Sequence, residues 1–380
     1  MINDTQHSVL ISSGEASGDL YASLLVRELQ QRWPEARFFG CTGPKLREAG
    51  VETVVASESL AVVGLVEVLA HIPRIYGEYR KLLAAVRERR PSIAILTDSP
   101  DFHLRVARQV ALMGIPVVYL VAPQVWAWRQ GRTRRMRRDI AKLLCIFPFE
   151  EAFFRDHGVP VSYIGHPLVE RVKPALTKSE FFAKHDLPAD RPLIVLLPGS
   201  RRGESLRHLP ALKQAAQLIG HARPAHFLLP ASANTGAAFF RDALGSSPVQ
   251  VIDGEAWDAM AHADLALAAS GTVTVEAALL GTPMVTFYKV NPISWLIGKA
   301  LVKIPFFCMV NLIAERKIVP ELMQDEMTGA NLAAEALRLL GDTASMRRDL
   351  AEVRQKLSMA GSAIGRAADE VMAVREVTHA

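Results

Sequence analysis

The chain has 380 residues, of which 50 % are hydrophobic and 22 % charged, with a formal net charge of +5. That composition excludes a mostly disordered chain, and the length accommodates two domains with a sizeable core. The mild positive balance suits an anionic substrate or an anionic membrane face; with no nucleic-acid-binding motif beside it, no nucleic-acid partner is expected.

Cys41, Cys145 and Cys308 are far apart and lack metal-ligand spacing, which points to a reducing cytosol and no metal centre. The polar N-terminus, Met1 to His7, has neither the basic region nor the apolar core of a signal peptide. No apolar run reaches the length of a membrane span.

Residues 8–12 read as a buried strand. Ser13-Gly-Glu-Ala-Ser-Gly-Asp19 follows as a turn, then a helix over 20–32 that Pro34 ends. The turn has neither dinucleotide-fold nor P-loop glycine spacing, and Glu15 and Asp19 would repel a pyrophosphate. Ser13, Gly14 and Glu15 are therefore expected to face a sugar; a structural turn with an Asp cap is the competing reading. Residues 36–40 form a second strand. The very apolar stretch 60–69 precedes a basic helix over 74–90.

Residues 92–97 are a strand, and Asp98-Ser-Pro-Asp101 is the loop beyond its carboxyl end, where open parallel sheets hold ligands. Asp98 is placed to point into a cleft. Turn formation ahead of Pro100 is its ordinary alternative, and Asp101 competes for either role. After a strand at 116–121 comes Ala122-Pro-Gln-Val-Trp-Ala-Trp-Arg129. The expected next helix carries Arg132, Arg134, Arg135, Arg137, Arg138 and Lys142, a solvated face or one that meets anionic headgroups or a phosphorylated acceptor. This succession of β-α units indicates a doubly wound α/β domain.

Residues 164–178 read as a linker, after which the pattern restarts. A strand at 193–197 leads into Pro198-Gly-Ser-Arg-Arg-Gly-Glu204, whose backbone N–H groups and guanidinium forks suit a pyrophosphate. Weaker strands follow at 225–230 and 249–253. Residues 264–268 form a buried strand, and Ser270, Gly271 and Thr272 turn into a helix over 274–280, stopped by Gly281. Glu276 lies one turn inside that helix, where its carboxylate can accept two ribose hydroxyls; a capped helix with a solvated Glu is the plain alternative. A strand at 284–287, an apolar stretch at 295–307 with interspersed lysines and a helical tail over 330–378, broken at Gly341 and Gly361, complete the chain.

Two facing nucleotide-fold domains with a cleft between them is the GT-B glycosyltransferase layout. The expected boundaries are 1–168 for an acceptor- and membrane-facing domain, 169–340 for a UDP-sugar-binding domain, and 341–380 for helices packing back on the first domain or on a partner chain.

Six motifs then carry a resemblance. Ser13-Gly-Glu-Ala-Ser-Gly-Asp19, Asp98-Ser-Pro-Asp-Phe102, Pro123-Gln-Val-Trp-Ala-Trp-Arg129, Ile164-Gly-His-Pro167, Leu197-Pro-Gly-Ser-Arg201 and Ala269-Ser-Gly-Thr272, in that order, resemble the lipid A disaccharide synthase family. The resemblance implies an inverting GT-B enzyme on the cytoplasmic face of a Gram-negative inner membrane. It would join UDP-2,3-diacylglucosamine to 2,3-diacylglucosamine 1-phosphate, giving the β-1,6 disaccharide 1-phosphate and UDP.

The resemblance also implies a base at Asp98 and adds Asn311 and Gln324 to the donor set of Arg201, Ser270, Gly271, Thr272 and Glu276. No separate role passes to Arg202. Inversion needs one base for the acceptor 6-hydroxyl and stabilisation of the leaving pyrophosphate. With no Asp-x-Asp pair in the sequence, neither metal nor cofactor is expected.

The lipid substrates turn the apolar stretch into an expected membrane and acyl contact through Val62, Val63, Leu65, Val66 and Leu69, and more weakly through Ile293, Trp295, Leu296, Ile297, Phe306 and Phe307; an ordinary core segment is the plain alternative. Oligomeric state is left open, a homodimer included. The alternatives are another GT-B UDP-sugar enzyme (a murein-type GlcNAc transferase or a UDP-GlcNAc epimerase) and a non-enzymatic nucleotide-sugar-binding protein.

Overall fold

The computed structural model describes residues 7–60, 65–232, 235–291, 295, 298, 302 and 304–379, without the side chains of 65–71, 378 and 379. The chain forms two compact units: Met1–Pro167 together with Met359–Ala380, and Leu168–Ser358.

In the first unit the elements are β1 (Ser8–Ser12), α1 (Ala16–Arg32), β2 (Arg37–Thr42), α2 (Pro44–Glu48), β3 (Glu52–Ala56), α3 (Leu65–Arg89), β4 (Ile93–Thr97), α4 (Pro100–Leu112), β5 (Val117–Leu120), α5 (Val125–Trp128), α6 (Thr133–Asp139), β6 (Lys142–Cys145), α7 (Pro148–Asp156) and β7 (Val161–Tyr163). The strands form one parallel sheet in the order β3-β2-β1-β4-β5-β6-β7. β1 and β4 are buried along their whole length, as expected of strands covered on both faces. The strand order reverses between β1 and β4, so their carboxyl ends leave a crevice at the edge of the sheet.

Three local expectations change here. The helix expected to begin at Leu20 begins at Ala16, because Gly18 and Asp19 are spent on tertiary contacts rather than on a turn. A Cβ on Gly18 would overlap the Asp98 carboxylate. Asp19 accepts from the backbone N–H groups of Gly43 (2.9 Å), Lys45 (2.7 Å) and Leu46 (3.2 Å), so it caps α2 from a distance. Residues 65–69 of the apolar stretch and the basic helix join as α3, which runs through Pro73. Its later turns bury Leu82, Leu83 and Val86, while Ile72 and Tyr76 stay exposed. The arginine-rich helix, α6, ends at Asp139, and Lys142 instead opens β6.

The second unit contains α8 (Lys178–Lys184), β8 (Leu193–Leu197), α9 (Arg202–Ala222), β9 (His226–Ala231), α10 (Ala237–Leu244), β10 (Val249–Asp253), α11 (Ala256–His262), β11 (Leu265–Ala269), α12 (Thr272–Leu280), β12 (Met284–Tyr288), α13 (Met309–Ala314), β13 (Glu321–Met323), α14 (Gly329–Leu339) and α15 (Ala344–Leu357). Its sheet is also parallel, in the order β10-β9-β8-β11-β12-β13, with the reversal between β8 and β11.

The helical tail divides. α15 packs with α12 in the second unit, whereas α16 (Ala363–His379) packs along α1 in the first. There Arg366 donates to the Ile164 carbonyl at 2.6 and 2.9 Å, Lys142 pairs with Glu370 at 3.1 Å, and the Arg375 guanidinium lies over Trp33.

Candidate active site

In the first unit the polar residues gather at the β1/β4 crevice. Asp98 ends β4 with φ +52°, and Ser99 follows at +35°, two non-glycine residues in the left-handed region. Such a pair costs of order 1–3 kcal/mol per residue and persists only where the surroundings over-determine it. Here they do. The Asp98 carbonyl accepts from the Tyr119 hydroxyl at 2.5 Å and from His103 Nδ1 at 3.1 Å, and His103 Nε2 lies 2.7 Å from the Ser12 hydroxyl. His103 and Tyr119 are fully buried. Burial depresses the imidazole to about 4, so the ring stays neutral.

The Asp98 carboxyl sits at the mouth of α1, accepting from Gly14 N–H (2.7 Å) and Glu15 N–H (3.1 Å). Its side chain is 12 % exposed. Burial pushes it up to about 7 against those two donors, which is a general base's range. Asp101, its competitor, is 68 % exposed and occupied by Arg129 (3.0 Å) and Arg132.

The expected sugar-facing turn is only partly open. Ser13 is buried and its hydroxyl donates to Asp19 at 3.3 Å, so it faces the interior and not a ligand. Gly14 and Glu15 remain at the surface, but their N–H groups hold Asp98.

In the second unit two loops at the β8/β11 reversal open helices. The Pro198-Gly-Ser-Arg201 loop leads from β8 into α9, with Arg201 at the N-cap position. Arg202 reaches back to the Thr235 carbonyl at 3.4 Å and over the Phe239 ring, away from a ligand role. Gly271 and Thr272 are exposed at the start of α12, with Gly271 as N-cap and no side chain capping it, which leaves first-turn N–H groups open to an anion. The Ser270 hydroxyl is spent on the Phe307 carbonyl at 3.0 Å and its N–H on the Phe287 carbonyl at 2.8 Å, so neither donor is open to a ligand. Glu276 is half-buried, takes a hydrogen bond from the Trp257 indole and is pushed by burial up to about 7.

Asn311 does not reach a ligand: its amide N donates to the Val319 carbonyl and Glu321, and its carbonyl accepts from Ile318 and Val319 N–H. A fully buried amide with four satisfied partners has nothing left to offer. Gln324, also buried, pairs through its amide with both backbone groups of Val290 at 3.2 Å.

Of the expected acyl contacts, Val62 and Val63 lie outside the described residues, as do the side chains of Leu65, Val66 and Leu69 and residues Ile293, Leu296 and Ile297. Trp295 and Phe307 rings pair at 5.4 Å. Among the described residues no cluster of His, Cys, Asp or Glu suits a metal ion, and no helix is long and apolar enough to cross a membrane.

Sequence reasoning missed His103, Tyr119, Glu150 and His208. The carboxyl of Glu150 is fully buried, accepts from the Trp126 indole (3.0 Å) and Phe147 N–H (3.3 Å), and is pushed by burial to about 8. Only His103 carried a local signal, lying five residues past Asp98 in the first turn of the helix that follows it.

The chain resembles solved glycosyltransferases in fold alone. Against the glycosyltransferase of kitacinnamycin it gives a TM-score of 0.66 at 18 % identity, covering 97 % of this chain and 98 % of that one. Against the calicheamicin glycosyltransferase CalG4 the TM-score is 0.62 at 17 % identity, over 97 % and 98 %. UDP-GlcNAc 2-epimerase from Neisseria meningitidis gives 0.61 at 14 % identity, over 96 % and 98 %.

In sequence it is 65 % identical over 376 residues to a lipid-A-disaccharide synthase of Solibacter usitatus (strain Ellin6076), covering 98 % of this chain and 99 % of that protein. It is 43 % identical over 378 residues to one of Koribacter versatilis (strain Ellin345), covering 97 % and 98 %. The family model described as lipid-A-disaccharide synthetase matches residues 9–375, and with two parallel α/β units of GT-B type the chain belongs to that family.

Proposed function

We propose that this chain transfers a 2,3-diacylglucosaminyl group from UDP to the 6-hydroxyl of 2,3-diacylglucosamine 1-phosphate, with inversion at the anomeric carbon and Asp98 as general base. Family membership makes it a glycosyltransferase that forms the lipid A disaccharide; the roles of its residues are the proposal. The observation that carries it is Asp98, a single carboxyl at a strand end, held by two backbone donors and raised by burial to about 7.

Asp98 takes the proton as the acceptor oxygen attacks, and the bond from the anomeric carbon to the UDP oxygen breaks. The charge that develops on the pyrophosphate is met by Arg201 and by the N–H groups opening α9 and α12, an electrostatic stabilisation that needs no proton. Glu276 accepts from the ribose.

The acyl chains favour work at the cytoplasmic face of the inner membrane, since each buried CH₂ is worth ~0.8 kcal/mol. Exposed Ile72 and Tyr76 on α3, with exposed Arg80 one turn beyond Tyr76, support an apolar and basic contact there.

The test is incubation of the purified chain with both lipids and mass analysis of the product. A disaccharide 1-phosphate that is absent from Asp98→Asn reactions supports the reading. Product from UDP-GlcNAc alone would favour an epimerase, and no turnover of any UDP-sugar would favour a binding protein.

A further inference from the structure

The loop between β8 and α9 is held from behind by side chains of the helix it opens. The Ser205 hydroxyl donates to the Gly199 carbonyl at 3.0 Å. His208 lies 2.8 Å from the Pro198 carbonyl through Nδ1 and 3.0 Å from the Lys289 backbone nitrogen through Nε2. Both side chains are fully buried. A carbonyl only accepts and an amide N–H only donates, so the ring is neutral and carries its proton on Nδ1.

A trans peptide points its C=O and N–H in opposite directions. With the Pro198 carbonyl turned onto His208 and the Gly199 carbonyl onto Ser205, the N–H groups of Gly199 and Ser200 are turned away from α9. Gly199 adopts φ +109° to make this possible. These two donors and the N–H groups of Arg202 and Gly203 at the start of α9 are the ones left to meet a diphosphate, the Glu204 N–H being bonded to the Arg201 carbonyl and the Glu204 carboxylate lying against Gly199. The other face of the His208 ring fixes the segment after β12. There Arg207 also donates to the Lys289 carbonyl at 3.2 Å, and Gln324 holds the next residue, Val290. The first unit uses the same device, where neutral His103 joins the Asp98 carbonyl to Ser12.

We propose that His208 and Ser205 are positioning residues for the donor. They touch no substrate, and by holding two carbonyls they aim the backbone N–H groups that meet the pyrophosphate. This rests on the reading of that loop as the pyrophosphate site. His208→Gln keeps an acceptor for Lys289 but loses the donor to Pro198, His208→Asn does the reverse, and Ser205→Ala frees the Gly199 carbonyl.

Each variant is titrated with UDP and with uridine, and its thermal unfolding recorded. His208→Gln and Ser205→Ala are expected to weaken UDP binding roughly three- to tenfold, about one hydrogen bond's worth, with uridine affinity unchanged. His208→Asn should keep UDP binding nearer the wild type. UDP and uridine affinities falling together, or unchanged UDP affinity in folded variants, overturns the proposal. If His208→Gln gives no cooperative transition, Ser205→Ala decides. Wild-type protein that binds UDP no better than uridine removes the pyrophosphate reading and the proposal with it, whereas intact UDP preference in unaffected variants removes the proposal alone.

Discussion

Asp98 has to be buried and charged in the same pH interval. Its base form prevails above about 7, so kcat/KM should fall with unit slope as pH drops below that value. Asp98→Asn should lower turnover by roughly 10²–10⁴-fold, the usual worth of a positioned base, and leave UDP binding intact. Asp101→Asn breaks only an exposed ion cluster and should change turnover little.

For stability the sign is opposite to that for activity. A carboxyl whose pKa is raised on folding stabilises most below its ordinary value, and that contribution is lost as pH rises through the folded value. Glu150, raised to about 8, extends the loss further. The wild-type unfolding midpoint should therefore decline as pH rises from about 6 to 8 and level off above that. Glu150→Gln, although less stable at the start because one of its two N–H donors then meets an amide NH₂, should show a flatter decline. Asp98 was legible because strand and loop adjoin in sequence; Glu150, Tyr119 and His208 were not, because the partners that give them meaning lie far along the chain.

Helix-opening loops and the helix α3 are the working elements. Arg201→Ala and Glu276→Ala should each weaken UDP binding in direct titration, whereas Asn311→Ala should lower the unfolding midpoint, because it strips a buried network of four hydrogen bonds. Activity that survives chelator would agree with pyrophosphate stabilisation by these loops; loss restored by Mg²⁺ would not.

Val62→Ser with Val66→Ser, and separately Ile72→Ser with Tyr76→Ser on α3, should leave a cooperative transition and lower binding to anionic vesicles. High salt should weaken wild-type binding as well. A collapse of the transition would make the segment core instead. The continuous apolar runs announced β1, β4, β8 and β11. The edge strands β3, β7 and β13 carried too little apolar signal, being three to five residues long and partly exposed. The start of α1 was hidden because Gly18 and Asp19 serve contacts that only the folded chain contains.

At the scale of the whole molecule, the first unit is assembled from both ends of the chain and the second lies within it. α16 completes the first unit by burying Ala363, Ala367, Ala368 and Val371. A chain stopped after Ser358 should keep UDP binding in the second unit while the transition of the first moves to lower temperature. The two-half architecture was legible from the restart of the β-α pattern at 193, and a return of the tail to the first domain was one of the two readings of 341–380; what the sequence hid was the split of that tail, since nothing in it marks α15 for the second unit and α16 for the first.

That interleaving has a consequence in time. During synthesis the unit carrying Asp98 must wait, short of its closing helix, while roughly 190 residues of the other unit are made, some tens of seconds at about 5–20 residues per second. Until then the groove that α16 will fill lies open along α1, so the nascent first half is the stretch of this chain most in need of a chaperone, and the donor half is the first to be finished.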